Sequence, residues 1–160
     1  MVVILMGVAG SGKTTVGHLL AAALRGKFYD GDDFHPAANV AKMAAGHPLD
    51  DTDRAPWLDA IRALIYRCLR EDETAVIACS ALKASYRARL RSDPARVHLV
   101  YLRGTPQLLA ERLHDRRDHF LPPSLLASQL ATLEVPTDAI AVDIGSPPAA
   151  IVAAIVAALP

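Results

Sequence analysis

The sequence GVAGSGKT, from Gly7 to Thr14, matches the phosphate-binding pattern G-x-x-x-x-G-K-[ST] at every required position. Glycines at this spacing let the backbone turn and bring its N–H groups close to phosphate oxygens, and the following helix directs its positive end to the same place. We expect Lys13 to reach the β- and γ-phosphates of a nucleoside triphosphate and the Thr14 hydroxyl to ligate magnesium. The predicted nucleotide-binding loop comprises Gly7, Val8, Ala9, Gly10, Ser11, Gly12, Lys13, Thr14 and Thr15.

A second stretch, FYDGDDFHP, places three aspartates within four positions directly after a short apolar run. Because ligands of α/β sheets collect beyond the carboxyl ends of the strands, a strand ending at Asp30 can present carboxylates beside the phosphate loop. In an extended chain Asp30 and Asp32 point to the same side, and Asp33 points away. We interpret Asp30 as a ligand of magnesium or of a metal-bound water, and Asp32 as the group that accepts a hydrogen bond or a proton from an acceptor hydroxyl.

The same carboxylates have a structural alternative, because Asp residues followed by a proline such as Pro36 also make a good helix entry. This capping role applies chiefly to Asp33, whereas we expect Asp32 to serve the reaction. His35 is expected to contact a substrate or to cap a helix, because magnesium prefers oxygen ligands and no second His or Cys stands at ligand spacing.

Several arginines and a lysine are candidates to bind anionic groups. Arg112 and Arg116 lie one helical turn apart in ERLHDRRDHF. Such a segment, about residues 112–123, can close over a nucleotide as a lid and exclude water. The alternative is a charged helix face that is merely solvated. Three further cations stand near the ends of other elements, and these are Arg54, Lys83 and Arg87. An anionic acceptor would account for them.

Length, charge and cysteine content narrow the functional classes. A chain of 160 residues, 52% of them hydrophobic, fits one domain over residues 1–160. Its 17 basic and 17 acidic residues cancel, so nothing in the net charge favours a nucleic-acid or membrane partner. Cys68 and Cys79 lie in apolar stretches without paired spacing, which is typical of buried, reduced thiols in a cytoplasmic protein. The apolar segment Ala149–Leu159 is too short to cross a bilayer.

Short apolar runs alternate with helical patterns along the chain. The strand candidates are Val2–Met6, Lys27–Asp30, Ala75–Cys79, Val97–Leu102 and Ala139–Ile144. The helical patterns are Thr14–Leu24, Pro36–Ala45, Arg54–Arg70, Lys83–Arg91, Pro106–Arg116, Ser124–Glu134 and Pro147–Leu159, with the polar run 50–53 offering caps for the third of them. Because parallel strands require crossover connections, this order predicts an α/β fold in which a five-stranded parallel sheet is flanked by helices in three layers.

Several blocks of the sequence together resemble the gluconate kinase family, whose fold is the shikimate-kinase and nucleoside-monophosphate-kinase type of P-loop fold. The blocks are DGDDFHP, NVAKMAAGHPLDDTDRAPWL, ACSALKASYRARLR, YLRG, RRDHF, LLASQLATLE and VDI, in this order. The long stretch from Asp30 to Leu58 is the specific part. The resemblance implies a P-loop kinase fold with a helical lid, and transfer of the ATP γ-phosphoryl group to the 6-hydroxyl of D-gluconate with Mg²⁺ as cofactor.

The resemblance also implies roles for individual residues. Lys13 and Asp32 would act in catalysis together with Arg116, which would lie with Arg112 over the adenine and phosphates. Arg54, Ser80 and Lys83 would lie near the acceptor. Charge alone leaves open whether the gluconate carboxylate is held by Lys83, Arg87 or Arg54. Members of the family are commonly dimeric, which implies a homodimer.

Two other functions remain as alternatives. A shikimate-type kinase would keep the phosphate loop and Asp32 but use different cations for its acceptor, and the block HPAANVAKMAAGHPLDDTDRAPWL argues against it. A non-catalytic nucleotide-binding regulatory module would leave Asp32, Arg54 and Lys83 without a role, although the phosphate loop alone reports binding rather than turnover.

Overall fold

The computed structural model describes residues 1–115 and 123–160, and within these residues the chain forms five strands, seven α-helices and a short 3₁₀ helix at Gly31–Phe34. The strands are β1 (Val2–Met6), β2 (Lys27–Asp30), β3 (Ala75–Ala78), β4 (Val97–Arg103) and β5 (Ile140–Asp143). The helices are α1 (Lys13–Ala23), α2 (Ala37–Ala44), α3 (Asp51–Arg70), α4 (Ala84–Leu90), α5 (Pro106–His114), α6 (Pro123–Thr132) and α7 (Pro148–Ala158). The strands pair in parallel in the order β2-β3-β1-β4-β5, which confirms the predicted α/β architecture.

The ends of the strands differ from the sequence prediction by no more than one residue. β4 runs on to Arg103 because Arg103 pairs in register with Asp143 of β5. β3 ends one residue before the predicted Cys79, and the chain soon enters a left-handed turn at Ala81, where φ is 43°. Because β3 lies between β1 and β2, the carboxyl ends of these three strands meet at one edge of the sheet.

Apolar side chains cover both faces of the sheet, as the continuous apolar runs predict. The central strand β1 is buried along its whole length. On one face Ile4 belongs to a core that includes Ile61 of α3 and Leu90 of α4. On the other face Leu5 belongs to a core shared with α1, α5, α6 and α7. The helices therefore enclose the sheet in three layers and leave its carboxyl edge for polar groups.

Helix α3 begins three residues before the predicted start at Arg54. The reason is a capping box, in which the Asp50 carboxylate accepts a hydrogen bond from the Asp53 N–H at 2.7 Å and the Asp53 carboxylate accepts one from the Asp50 N–H at 3.0 Å. Pro56 lies inside the helix, near enough to its start that the missing N–H interrupts only one early hydrogen bond. The predicted capping by this aspartate-rich stretch is confirmed, and it places Arg54 in the first turns of α3.

A polar network joins the amino-terminal ends of β2 and β3, at the edge of the sheet opposite the phosphate loop. The Glu73 carboxylate accepts hydrogen bonds from the Lys27 ammonium and, at 2.8 Å, from the Tyr29 hydroxyl. These bonds lower the pKa of Glu73 to about 2 from an ordinary value of 4.5. Because the folded-state pKa is depressed, the stabilisation is complete above the ordinary pKa and is lost as the pH falls from about 4.5 toward 2.

Replacing this carboxylate tests the network. Glu73→Gln is expected to lower the melting temperature at pH 7 by about 3–8 °C, because charge-assisted bonds are lost. The melting temperature of the variant should also fall less steeply in acid than that of the parent protein. Glu71→Gln is a matched control at an exposed position and should change the melting temperature by less than about 2 °C. Equal effects of the two substitutions would contradict the network.

No helix in the part of the chain that the structure describes is both long enough and apolar enough to span a membrane.

Candidate active site

The phosphate loop forms a backbone cradle between β1 and α1. Gly10 and Gly12 have φ angles of 82° and 87°, in the left-handed region that favours glycine. Gly12 is also the N-cap of α1, so the free N–H groups of the first helical turn face the loop. The Lys13 ammonium folds over the loop and donates to the carbonyls of Gly7 at 2.9 Å and Val8 at 3.0 Å. The loop residues predicted from sequence thus form an arrangement suited to an anion.

The loop makes one contact that the sequence analysis missed. The Ala9 N–H donates to Gln129 Oε1 at 2.7 Å, which ties the loop to α6. The only sequence signal for this contact is a single amide in the block LLASQLATLE. Within the loop itself, a Cβ atom at Gly7 would lie 2.7 Å from the Ser11 hydroxyl oxygen, so the close packing of the loop requires glycine there.

Asp30 and Thr14 face each other across the start of α1. The Thr14 hydroxyl donates to Asp30 Oδ2 at 3.4 Å, and Asp30 Oδ1 accepts from the Asp32 N–H at 3.0 Å. Asp30 therefore caps the 3₁₀ helix and at the same time presents an oxygen toward Thr14. Gly31 lies against the end of β3, where a Cβ atom would stand 2.4 Å from the Ala78 carbonyl oxygen. The structure brings together the two residues that the sequence analysis assigned to a metal.

Asp32 lies in the 3₁₀ helix directly after β2, and its side chain is 85% exposed. Partial desolvation by neighbouring protein atoms raises the pKa of Asp32, and the Asp30 carboxylate raises it further. Lys13 and His35 act in the opposite direction and lower the Asp32 pKa. The carboxylate is thus open to a substrate and within electrostatic reach of the phosphate loop.

Asp33 does not take the capping role considered from sequence, whereas His35 ends the 3₁₀ helix. The N-cap of α2 is Pro36, so Asp33 does not cap that helix. Asp33 is instead exposed to solvent. The His35 side chain is only 5% exposed, and its ring stacks on Trp57 with the centroids 4.5 Å apart. His35 Nε2 lies 3.9 Å from Asp32 Oδ1. His35 Nε2 therefore lies near the predicted base, and His35 is also the C-cap of the 3₁₀ helix, where its backbone N–H donates to the Asp32 carbonyl at 3.3 Å.

A cluster of charged and phenolic groups lies where the first turns of α3 meet α4. The Asp51 carboxylate accepts hydrogen bonds from the Lys83 ammonium at 2.8 Å and from the Tyr86 hydroxyl. The hydrogen bond from Lys83, followed by that from Tyr86, lowers the pKa of Asp51. Arg54 donates to the Tyr86 hydroxyl at 3.3 Å and lies over its ring. Sequence reasoning found both cations but not Asp51 or Tyr86, whose roles depend on contacts between two helices.

Two other acceptor-site candidates lie in or beside the turn after β3. Ser80 is half-buried next to the phosphate loop, and its carbonyl accepts from the Gly7 N–H at 3.4 Å. The Arg87 side chain is buried and donates from Nη1 to the carbonyls of Ala81 and Leu82, each at 3.0 Å. Arg87 thereby supports the left-handed turn at Ala81. The structure gives Arg87 a structural contact and places Ser80 at the phosphate loop.

A pocket of about 260 Å³ opens between the phosphate loop, α5 and α7. It is lined by Gly10, Gly12, Thr15, Val16, Arg112, Asp115, Pro148 and Ile151. The Arg112 guanidinium is held at this pocket by a hydrogen bond to the Ile144 carbonyl at 2.6 Å. Arg116, the other arginine predicted for the lid, lies outside the described residues, as does most of the predicted lid.

The described part of the chain has no large cluster of metal ligands, and its two cysteines are buried. The residues that the structure describes contain no group of three or more His, Cys, Asp or Glu side chains that could hold a metal ion. Cys68 and Cys79 are buried and form no disulfide, as predicted, and burial raises their pKa values to about 11 and about 12. Protonated thiols are poor nucleophiles.

Comparison with known proteins identifies the family. The shikimate kinase family model matches residues 9–135. A gluconokinase from Gluconobacter oxydans strain 621H is 50% identical over 135 residues, which span 84% of this chain and 76% of that protein. The thermosensitive gluconokinase of Escherichia coli strain K12 is 47% identical over 133 residues, spanning 83% of this chain and 71% of that protein. The crystal structure of a gluconokinase from Sinorhizobium meliloti 1021 has a TM-score of 0.86 and 46% identity, and the match covers 97% of this chain and 89% of that one. This chain belongs to the gluconokinase family of P-loop kinases.

Proposed function

We propose that this protein is a gluconokinase, which transfers the γ-phosphoryl group of ATP to the 6-hydroxyl of D-gluconate and releases ADP and 6-phospho-D-gluconate. The observation that carries the proposal is an accessible carboxylate, Asp32, within electrostatic reach of Lys13 in the phosphate loop. A kinase requires such a pair, because the carboxylate activates the acceptor hydroxyl and the lysine binds the transferred phosphate. A protein that only binds a nucleotide does not require the carboxylate. Membership in the gluconokinase family supports gluconate as the acceptor.

The proposed transfer is a displacement at the γ-phosphorus. The bond from phosphorus to the β–γ bridging oxygen breaks, a bond to O6 of gluconate forms, and the hydroxyl proton passes to the Asp32 carboxylate. Lys13 and the N–H groups of the loop stabilise the negative charge on the transferring group and on ADP. The purine would occupy the pocket beside Arg112, which adjoins the loop through Gly12. All of these residues act from the carboxyl edge of the sheet.

Magnesium fits the oxygen pair formed by Thr14 and Asp30. Mg²⁺ is usually held by one or two protein oxygens, with the remaining positions taken by phosphates and water, so a site without a larger cluster of ligands is the expected kind. We propose that Thr14 binds the ion directly and that Asp30 binds it directly or through water. When bound, the ion would neutralise charge on the β- and γ-phosphates.

The gluconate carboxylate is proposed to bind Arg54. Of the three cations predicted for the acceptor, Lys83 is neutralised by Asp51, and Arg87 donates to backbone carbonyls. Arg54 forms no ion pair within 4.0 Å among the described residues, and it is half-buried with only a phenol as hydrogen-bond partner. A planar guanidinium can grip a carboxylate with two parallel hydrogen bonds.

This assignment makes a kinetic prediction. Arg54→Met is expected to raise the KM for D-gluconate by about 10- to 100-fold, the range for a lost hydrogen bond to a charged group, with the KM for ATP unchanged. Lys83→Met is the matched control, and its effect on the gluconate KM should be smaller because Asp51 already holds that ammonium. Steady-state kinetics with each substrate varied in turn measure both. If Lys83→Met raises the KM for D-gluconate more than Arg54→Met does, the gluconate carboxylate binds Lys83 and not Arg54.

We further propose that the chain works as a single cytoplasmic domain and pairs as a homodimer. The buried thiols support a reducing compartment, and the proposed substrates are small soluble metabolites. Exposed apolar residues of α2, Val40 and Met43, are available to an interface. Light scattering over a range of protein concentrations measures the oligomeric state.

The product tests the proposed reaction. After incubation with ATP, magnesium and D-gluconate, phosphorus–proton correlation by NMR should place the new phosphate on O6 of gluconate. Phosphate on another oxygen would contradict the proposed pose of the acceptor. Release of inorganic phosphate without a sugar product would instead favour the alternative of a nucleotide-binding module.

A further inference from the structure

A line of side chains connects the start of α3 to Asp32, and its first member is Asn39 of α2. Asn39 is only 4% exposed, and its Nδ2 donates to the Asp53 carbonyl oxygen at 2.8 Å. Because a backbone carbonyl can only accept, this bond determines which end of the Asn39 amide is the nitrogen. Asp53 is held in turn by the capping box of α3. The amide of Asn39 therefore has one orientation.

The same amide nitrogen determines the tautomer of His35. Asn39 Nδ2 lies 3.3 Å from His35 Nδ1, and since an amide nitrogen only donates, Nδ1 must accept. The proton of a neutral His35 ring is then on Nε2. Burial lowers the pKa of His35, and Arg54 lowers it further against the opposing effect of Asp32, which favours the neutral ring.

Nε2 is the nitrogen of His35 that lies near the predicted base. Nε2 lies 3.9 Å from Asp32 Oδ1, which is longer than a hydrogen bond. The Asp32 side chain is 85% exposed, whereas the ring is buried, so the carboxylate is the partner that can move to close the distance. Contacts of this kind are often long in free enzymes and shorten when substrate binds.

The ring of His35 is itself held in place. It stacks on Trp57 with an angle of 10° between the planes, and Trp57 Nε1 donates to the Gly31 carbonyl at 2.7 Å. The residue that supports the histidine is thus bonded to the backbone directly before Asp32. Stacking, the Asn39 bond and the Gly31 bond together allow the ring little freedom relative to the chain that carries the base.

We propose that His35 is a positioning residue for Asp32: its Nε2–H, selected by Asn39, holds one carboxylate oxygen so that the other accepts the proton of the acceptor hydroxyl. This inference rests on the proposed role of Asp32 as the base. It differs from the direct substrate contact expected of His35 from sequence, because here the histidine acts through the carboxylate. An exposed aspartate with free rotation would otherwise spend much of its time out of line with the hydroxyl.

Two substitutions of different length test which nitrogen matters. A glutamine at position 35 can place an N–H near the site of Nε2, whereas an asparagine can reach only the site of Nδ1. We expect His35→Asn to lower kcat by about 10- to 100-fold, as loss of an orienting partner does. His35→Gln should retain kcat within about fivefold of the parent. The KM for ATP should be unchanged in both variants. A rise in the gluconate KM with kcat preserved would overturn the proposal in favour of direct contact.

A double-mutant cycle with Asp32→Asn separates this inference from the proposed function. If His35 acts through Asp32, adding His35→Asn to Asp32→Asn should cost less than about twofold more in kcat. Additive losses would overturn the inference while leaving Asp32 as the base. If Asp32→Asn alone leaves kcat unchanged, the role of the base fails and the inference fails with it.

Nitrogen-15 NMR of the parent protein gives a test that does not depend on how the variants fold. The His35 ring should show a protonated Nε2 and an unprotonated Nδ1 at neutral pH. A protonated Nδ1 in the neutral ring would overturn the proposed orientation of the network.

Discussion

Lys13→Ala is expected to lower kcat/KM by at least about 10²- to 10³-fold, the usual cost of removing one donor that stabilises transition-state charge. Lys13 lies at the start of α1, and its ammonium now rests on the carbonyls of Gly7 and Val8, from which it can turn toward bound phosphates. The substitution removes the only side-chain cation of the motif. Coupled detection of ADP with saturating gluconate measures the loss.

The control for Lys13→Ala removes a cation elsewhere. The control substitution is Arg70→Ala. Arg70 is exposed at the carboxyl end of α3, close to the start of β3, and therefore lies at the edge of the sheet opposite the phosphate loop. It should change kcat/KM by less than about twofold, as distant surface substitutions usually do. Near-parental activity of Lys13→Ala would remove the phosphate loop from the mechanism.

Asp32→Asn is expected to lower kcat by at least about 100-fold, the lower range for loss of a general base, while ATP still binds. The amide has nearly the shape of the carboxylate but cannot take up the hydroxyl proton. Rapid-quench measurement of 6-phosphogluconate, with calorimetry for ATP binding, distinguishes loss of chemistry from loss of the nucleotide.

Asp33→Asn is the matched control for Asp32→Asn. Asp33 is adjacent in sequence and exposed, but it does not cap α2. Its substitution should leave kcat within about twofold of the parent. If Asp32→Asn and Asp33→Asn lose activity equally, the loss results from removing one negative charge near the phosphate loop, and Asp32 has no specific role.

The phosphate loop and the sheet are predictable from sequence because their signals are local. The motif occupies consecutive residues, and the strands are apolar runs whose burial on both faces is required by the fold. The start of α3 was predicted at Arg54, with residues 50–53 as caps, but the helix begins at Asp51. The reciprocal hydrogen bonds of Asp50 and Asp53 form a capping box at Asp50, so the residues between the cap and Arg54 are already helical.

The sequence could not predict which acceptor-site cation is already paired with a carboxylate, because this depends on tertiary contacts between side chains. Lys83 and Arg54 look equivalent in the sequence, but Asp51 pairs with Lys83 and leaves Arg54 with Tyr86. The same is true of His35, whose tautomer depends on Asn39 and, through it, on a carbonyl of a different helix. Such networks carry no spacing signal that a single sequence reveals.

The most direct test of the proposed function is acceptor-dependent release of ADP by the purified protein with ATP and magnesium. D-Gluconate, shikimate and related sugar acids are supplied one at a time, beside a reaction without acceptor. We predict rapid turnover with D-gluconate and only slow background hydrolysis in the other reactions. Equal slow release in every reaction, or turnover with shikimate in place of gluconate, would contradict the assignment of this protein as a gluconokinase.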